Sequence, residues 1–416
     1  RYRYWHAFKN GIYCAKTRRF YEYNWASFSS LRMKSPNSVA MNYHPYEFQF
    51  AKYAYTMLKD EPEITNVFTQ FFDAPTDAFI KLRTPLDRIL DTQKFGVDEC
   101  KWIWAELGAL LHQRRDTVLW NHIPFFVGMG GTGKTVLMIT GSKFYSALDV
   151  FQFVTTDEGK FAIAELHRSE IFMAFDIARN NNIDPSLWLR IADSQMMKFA
   201  QKCKQPIMDW VRQFGMVASN DFFDLPNSNG QMTRRMLLHI FNEFPDRVDA
   251  DLEKECEDAL PLIMLKANAA ILWLNTKVRA SSIDEQMPAS MKNNRTQMEI
   301  QTNPVKGFLF SAHVTRGPQY YVDMNKFQTE LKRYTNHSTQ LRFVEFNKTS
   351  CARIMKDLGL SIVQESRVSP VDKKVHQTFY VTGVTLSEYE NIWPEIQKMQ
   401  DAHTRQQAIA ALHQDP

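Results

Sequence analysis

The stretch "FFVGMGGTGKTVLM" (residues 125–138) runs an apolar segment into a glycine-rich turn, then Lys-Thr, then a second apolar segment. Gly128 and the Gly133-Lys134-Thr135 triplet satisfy G-x-x-x-x-G-K-[ST] at every fixed position. A polyphosphate needs closely spaced backbone N–H donors with no side chain in the way, and glycines supply both; the helix that follows adds the positive end of its dipole. The pattern therefore makes Gly128, Met129, Gly130, Gly131, Thr132, Gly133, Lys134 and Thr135 the expected cradle of a nucleotide. It sends Lys134 to the β- and γ-phosphates and the Thr135 hydroxyl to Mg²⁺, so that ATP and Mg²⁺ are the expected cofactors.

A phosphate loop names a ligand and no more. Hydrolysis also needs a carboxylate for the metal and the attacking water, at the end of a neighbouring strand. From Ile123 to about Asn275, β-rich runs ("IPFFVG", "DVFQFV", "EIFMAFDIA", "FGMVAS", "MLLHIF") alternate with helical or loop segments, the pattern of a parallel sheet covered by helices. Asp176 closes the third run and is the candidate metal and water carboxylate; Asp157 and Glu158 are its rivals. Asn220, after the fourth run, is placed to touch a γ-phosphate or orient water. Arg234 and Arg235 precede the fifth. Paired arginines there are either surface charges or, in a ring ATPase, the cationic finger offered to a neighbour's ATP.

The rest of the chain bounds the function. Its 416 residues suffice for two or three domains, and the hydrophobic and charged fractions, 44% and 23%, are those of a globular protein. The most apolar stretch, Ala259 to Leu274, is interrupted by Pro261, Lys266 and Asn268, so no membrane span is expected. Five scattered cysteines with no C-x-x-C pair argue against a disulfide framework or a zinc site and fit a reducing, intracellular compartment. The chain opens on "RYRYWHAFKNG", with neither an initiator Met nor a signal-peptide pattern, which fits a piece of a longer polypeptide. In its first 35 residues eight Lys and Arg face only Glu22, interleaved with aromatics; this suits nucleic acid and equally a solvated basic face.

The expected organisation is a basic and aromatic segment over 1–44, helices over 45–115, the α/β core over 116–280, a polar linker over 281–317, and a last region over 318–416. In the second, "YEFQFAKYAYTMLKD", "PTDAFIKLRTPLDRILDTQ" and "VDECKWIWAELGALLHQ" carry apolar residues at helical spacing. In the last, "NKFQTELKRYT" and "NKTSCARIMKDLG" read as helices, and "LSIVQES" and "HQTFYVTG" as two strands joined by a basic turn. Helices followed by such a hairpin point to a winged helix.

Taken together, the loop at 128–135, "FMAFD" at 172–176, "GMVASN" at 215–220 and "RR" at 234–235 resemble the ordered motifs of superfamily 3 helicases, hexameric AAA+ ring motors of viral and plasmid replication. "WHAFKNGIYCAKTRRFYEY" (5–23) is similar to the segment that precedes the motor in poxvirus-type and giant-virus primase-helicases. The resemblance implies an α/β AAA+ P-loop core, a parallel sheet flanked by helices, with an N-terminal helical collar and a C-terminal winged-helix-like domain. It makes Lys134, Asp176, Asn220, Arg234 and Arg235 catalytic, Arg235 being favoured as the finger, and Thr135 and Asp176 the metal-side residues. It also implies a β-hairpin between "FMAFD" and "GMVASN" whose tip follows single-stranded DNA, which singles out Lys198, Lys202 and Lys204. Lys348, Arg353 and Lys356, or Lys373 and Lys374 in the wing, are the C-terminal candidates for duplex or a replication partner. Relatives often carry two adjacent acids where this chain has Phe175 before Asp176, so Asp176 is left to serve both as metal ligand and base.

The implied function is an ATP-driven hexameric DNA helicase working on single-stranded and forked DNA, associated with an upstream primase domain or replication proteins and with no membrane. It would act at a viral replication site in host cytoplasm or nucleus. The alternatives are an RNA-directed motor of the same superfamily and a nucleotide-gated origin-binding module that does not unwind.

Overall fold

The structure, a computed structural model, describes residues 4–24, 42–48, 77–153, 159–177, 185–201, 204–222, 231–279, 281–337, 355–356, 358–368 and 375–386. The chain divides into two compact units, Arg1–Thr296 and Gln297–Pro416.

The first unit opens with an antiparallel meander, β1 (Trp5–Phe8), β2 (Gly11–Cys14) and β3 (Arg19–Glu22), with the short β4 (Asn42–Tyr43) parallel to β1 on its other side. The aromatic residues of this segment point inward. Phe48 packs against Phe8, Tyr13 and Phe20 with ring centroids 4.5–5.3 Å apart, and Trp5, Phe8 and Tyr13 are buried. Lys9, Lys16 and Arg19 stay at the surface. The buried rings are core, so the surface of this sheet offers cations without the expected aromatic platform; Tyr23 and Tyr43 are its exposed aromatic residues among those described.

Of the three helices expected over 45–115, the first lies outside the described residues from Gln49 onward. The second is broken into a 3-10 turn at Asp77–Lys81 and a short α1 (Asp87–Thr92), because Pro85 interrupts the helical path. The third is α2 (Val97–Ala109).

The α/β core follows the sequence pattern closely. Its elements are β5 (Ile123–Val127), α3 (Lys134–Ser142), β6 (Val150–Gln152), α4 (Gly159–Leu166), β7 (Ile171–Ala174) and α5 (Pro185–Ala192), then β8 (Met196–Gln201), β9 (Lys204–Trp210), β10 (Phe214–Ser219) and β11 (Met236–Ile240). The five expected runs form one parallel sheet in the order β11-β5-β10-β7-β6. Strands β5 and β10 are buried along their whole length, which is why each reads as a continuous apolar run. Strands β8 and β9 leave the sheet as an antiparallel hairpin.

After the sheet come α6 (Leu252–Asp258), α7 (Leu260–Val278), α8 (Ile283–Gln286) and α9 (Ala289–Thr302). The polar residues that interrupt the apolar run of α7 are buried and satisfied. Lys266 Nζ donates to both oxygens of Asp87, at 2.6 and 2.8 Å, and to the Leu82 carbonyl at 2.6 Å. Asn268 donates to Tyr13 Oη and the Ala15 carbonyl, and its own carbonyl oxygen lies 2.7 Å from His112 Nε2. Helix α7 is thus the spine joining the N-terminal sheet, α1 and α2. Among the described residues no single helix is long and apolar enough to cross a membrane.

The polar stretch 281–317, expected as a linker, is largely helical. A capping box between Ser282 and Glu285 starts α8, and the Asn303 side chain caps α10 (Pro304–Leu309). The second unit continues with β12 (Val314–Asp323), α11 (Met324–His337), β13 (Ser361–Val368) and β14 (Val375–Leu386), the strands forming an antiparallel sheet in the order β12-β14-β13. Its own core gathers Phe308, Phe327, Leu331, Met355, Val381 and Val384.

One buried charge cluster ties the sheet to α2. His239 of β11 lies 2.9 Å from Glu99 Oε1 through Nδ1 and 2.9 Å from Glu106 Oε1 through Nε2, and its ring stacks on Phe126 of β5. Burial alone would lower the imidazole's pKa; the Glu106 and Glu99 carboxylates outweigh it and push it up to about 10. Replacing His239 by Gln leaves two buried carboxylates without their cation and is expected to cost about 3–5 kcal/mol, read by urea unfolding. In the parent the imidazolium's contribution is whole below about pH 6.5 and is lost as pH rises through about 10. His239→Gln removes that alkaline dependence.

Candidate functional site

The glycine-rich loop leaves the C-terminal end of β5 in a backbone path that side chains oppose. Gly128 and Gly133 have φ of 148° and 96°. A Cβ at Gly128 would stand 1.9 Å from the Phe241 carbonyl oxygen, and one at Gly133 would meet Ile89 of α1 at 2.7 Å. At Gly128 and Gly133 the loop is therefore wedged against β11's exit and α1, where only glycine fits. Helix α3 begins at Lys134, and Gly133 offers its first turn no side-chain cap, so these N–H groups remain available to an anion. Met129, Gly130 and Gly131 form an exposed rim.

The Lys134 side chain is buried and turned back on its own loop. Its ammonium donates to the carbonyls of Gly128 (2.5 Å) and Met129 (2.7 Å) and lies 3.3 Å from Thr132 Oγ1. Burial lowers its pKa, and the Asp176 carboxylate pulls it back up. Thr135 is exposed at the start of α3.

The other strand ends converge on the same edge. Strand β10 lies between β5 and β7, so the β5 and β7 ends stand about 10 Å apart, room for phosphates, a hydrated ion and a water. Asp176, just past β7, is exposed and holds a left-handed φ of 48°, a conformation that Asp tolerates and that is concentrated at functional turns. Asn220, just past β10, is also exposed. Thr135 and Asp176 offer the hard oxygen donors that Mg²⁺ takes alongside water and phosphate. Asp157 and Glu158 lie outside the described residues.

Two residues that the sequence did not single out hold this edge together. Ser219 accepts from Gly128 N at its carbonyl (3.1 Å), and its hydroxyl donates to the Ile177 carbonyl at 2.7 Å, stitching the loop, β10 and the Asp176 turn. Gln93 is buried beyond α1; its amide donates to the carbonyls of Thr132 (3.1 Å) and Glu243 (2.6 Å) and accepts from Glu243 N. A polar residue ending a buried apolar strand is a legible signal for Ser219. Gln93 carries none, because its partners are distant in sequence.

Arg234 and Arg235 lie at the other edge. Met236 pairs with Ile123 and Ile240 with Val127, so the arginines sit beside the start of β5, about 20 Å along the strand from Gly128. They are remote from their own loop. Arg235, favoured above as the finger, is bound in a fork by Asp193, with Nε–Oδ1 at 2.6 Å and Nη2–Oδ2 at 2.9 Å, and donates to the Gln231 carbonyl. Arg234 is exposed and has no carboxylate partner among the described residues.

Of the nucleic-acid candidates, Lys198 is exposed on β8 of the hairpin. Lys204 begins β9, with its side chain outside the described residues, as Lys202, Lys348, Arg353, Lys373 and Lys374 are altogether. Lys356 is exposed.

No family model and no curated protein matches the chain. Among solved structures, it is similar to the NrS-1 C-terminal region at 13% identity and a TM-score of 0.42, over 75% of this chain and 80% of that one. It is also similar to JCV helicase, at 16% identity and a TM-score of 0.25, over 68% of this chain and 76% of that one.

The two arginines are separable by stability. Arg235→Ala breaks a half-buried forked ion pair and is expected to cost about 1–3 kcal/mol in denaturant unfolding, whereas Arg234→Ala should change stability by less than about 0.5 kcal/mol.

Proposed function

We propose that this chain is an ATP-dependent hexameric DNA helicase of viral-type genome replication, the helicase part of a primase-helicase, translocating on single-stranded DNA. The observation that carries the reading is the division of the sheet. One edge gathers the phosphate loop, Asp176 and Asn220 at neighbouring strand ends, while an exposed arginine stands at the other, out of reach of its own loop. Such a chain holds one half of an ATPase site at each end, and a ring of copies completes the halves. The resemblance of the motifs at 128–135, 172–176, 215–220 and 234–235 to superfamily 3 helicases supports the same reading.

In this mechanism the Lys134 ammonium exchanges the carbonyls of Gly128 and Met129 for β- and γ-phosphate oxygens, and the N–H groups opening α3 take the remaining charge. Mg²⁺, when bound beside Thr135 and Asp176, neutralises charge on the phosphates. Asp176 accepts the proton of the attacking water, and Asn220, from the strand between, orients that water. Arg234 of another copy stabilises the charge that develops on transfer; Arg235 positions that segment through Asp193. Lys198, Lys202 and Lys204 of the hairpin follow the DNA backbone. The helices of 45–115 act as collar, and the second unit, a winged-helix-like domain, meets duplex or a replication partner, at a viral replication site in the host cytoplasm or nucleus.

The test is ATP hydrolysis and strand displacement on 3′- and 5′-tailed forks, with the particle mass measured in parallel. Lys134→Ala and Asp176→Ala are expected to abolish both activities. Arg234→Ala is expected to lower kcat by about 10³-fold or more while nucleotide still binds. A chain that stays monomeric and inactive under all conditions sinks the proposal. DNA binding without unwinding in the parent chain would favour the origin-binding alternative, and unwinding of RNA alone the RNA-directed one.

A further inference from the structure

A cavity of about 710 Å³ opens in the first unit at the sheet edge opposite the nucleotide loop. His122, just before β5, and Ser281, just before α8, line it with Arg115, Arg234 and Arg279. Its charge is net positive. Two carboxylates also line it: Asp284 pairs with Arg295 at 2.7 Å, while Asp116 accepts from the neutral Tyr4 Oη and keeps its charge. Arg235 is neutralised by Asp193. Arg115 stacks on Trp210 at 4.9 Å and donates to the Ser194 carbonyl at 3.4 Å, neither of which carries charge. Arg115, Arg234 and Arg279, all exposed, therefore have no anionic partner among the described residues.

Two polar atoms of the lining also lack a partner. His122 is 6% exposed and its Nδ1 has no hydrogen bond, and the buried Ser281 Oγ has none either. Burial and the nearby Arg295, Arg114 and Arg235 lower the His122 pKa to about 3, so its imidazole is neutral and donates from Nδ1 in the tautomer that carries the proton there. Buried polar atoms are almost always satisfied, so two unpartnered ones in one cationic cavity mark a place for a ligand that accepts hydrogen bonds. Three guanidinium groups outside any ion pair exceed what the Asp116 carboxylate neutralises, and their planar forks match phosphate oxygens.

We propose that this cavity is a second phosphate-binding site, in which His122 and Ser281 donate to phosphate oxygens and Arg115, Arg234 and Arg279 neutralise their charge. The phosphate has two possible sources with the same chemistry: a free phosphate compound, or the terminal phosphates of a nucleotide held in the loop of a second copy. The second source rests on the ring reading; the first does not.

Two arms separate them, both with the full chain. In the first, inorganic pyrophosphate is titrated calorimetrically, without Mg²⁺, into the Lys134→Ala chain, whose loop site is disabled. Binding is expected, weakened at least about tenfold by adding Arg115→Ala and Arg279→Ala, each guanidinium supplying charge-assisted hydrogen bonds. Both arginines are exposed, so folding is retained, and thermal unfolding checks it. In the second, Arg115→Ala/Arg279→Ala is made in the otherwise natural chain, and ATP hydrolysis is measured beside nucleotide binding at the loop. Pyrophosphate binding in the first arm identifies a free phosphate site. Hydrolysis lost with loop binding retained identifies the nucleotide of a second copy. Pyrophosphate binding absent, or insensitive to the arginines, with hydrolysis also unchanged overturns the proposal. Should no chain hydrolyse ATP, the ring reading falls and the pyrophosphate arm alone decides.

Discussion

Five strands that all run the same way impose one rule on this molecule: every strand's exit lies on one edge of the sheet and every entry on the other. Parallel strands need crossover segments, and here the crossovers return the chain each time to the entry edge. The glycine loop, the Asp176 turn and Asn220 share the exit edge for that reason, although 92 positions separate Gly128 from Asn220. The arginines before β11 and His122 before β5 share the entry edge by the same rule. The fit of Gly128 against the Phe241 carbonyl fixes how closely β11 and the loop approach, and the Ser219 bonds fix the loop against β10 and the Asp176 turn.

The sheet is held to its surroundings by buried polar groups rather than by apolar packing alone. Lys266–Asp87 locks α7 to α1, Asn268 locks it to the N-terminal sheet and to the end of α2, and His239 locks β11 to α2. Arg114 does the same at the entry edge, its guanidinium donating to the carbonyls of Trp120, Gln213 and His122. Each of these groups would be costly left unpaired, so each tolerates one arrangement of the helices and rejects the others. Burial lowers the Lys266 pKa to about 8, the Asp87 carboxylate holding it above what desolvation alone would give.

Much of this was legible in the sequence where physics acts locally. A strand buried on both faces is apolar nearly throughout, so β5, β7 and β10 announced themselves, while β6 with its exposed Gln152 and β11 with its buried His239 read as shorter apolar runs; a phosphate loop must be glycine-rich. The hairpin of the second unit and helix α11 were readable from alternation and from helical spacing; the second helix expected there, over 347–359, lies largely outside the described residues. The N-terminal meander was not. Its strands β1 and β2 are four residues each and fully buried, too short to show a period, and the rings that fill its core read equally well as a surface for stacking. The role of Arg235 was hidden for a different reason: its partner Asp193 lies 42 positions away, and only the fold brings them together. Lys266 and Asn268 looked like interruptions of an apolar run because their partners, too, are distant.

The opposition of the two edges also limits how copies can associate. In a two-fold dimer the same patch meets itself, so loop and arginine meet there only if the copies lie antiparallel and both reciprocal contacts fall inside one self-complementary patch. A head-to-tail assembly that joins loop to arginine either closes on itself or grows as an open filament. An open row leaves one loop without an arginine and one arginine edge bare, whatever its length. Closure alone gives every chain an identical environment, so a single defective copy would be felt at two neighbouring junctions, through its loop on one side and through its arginines on the other.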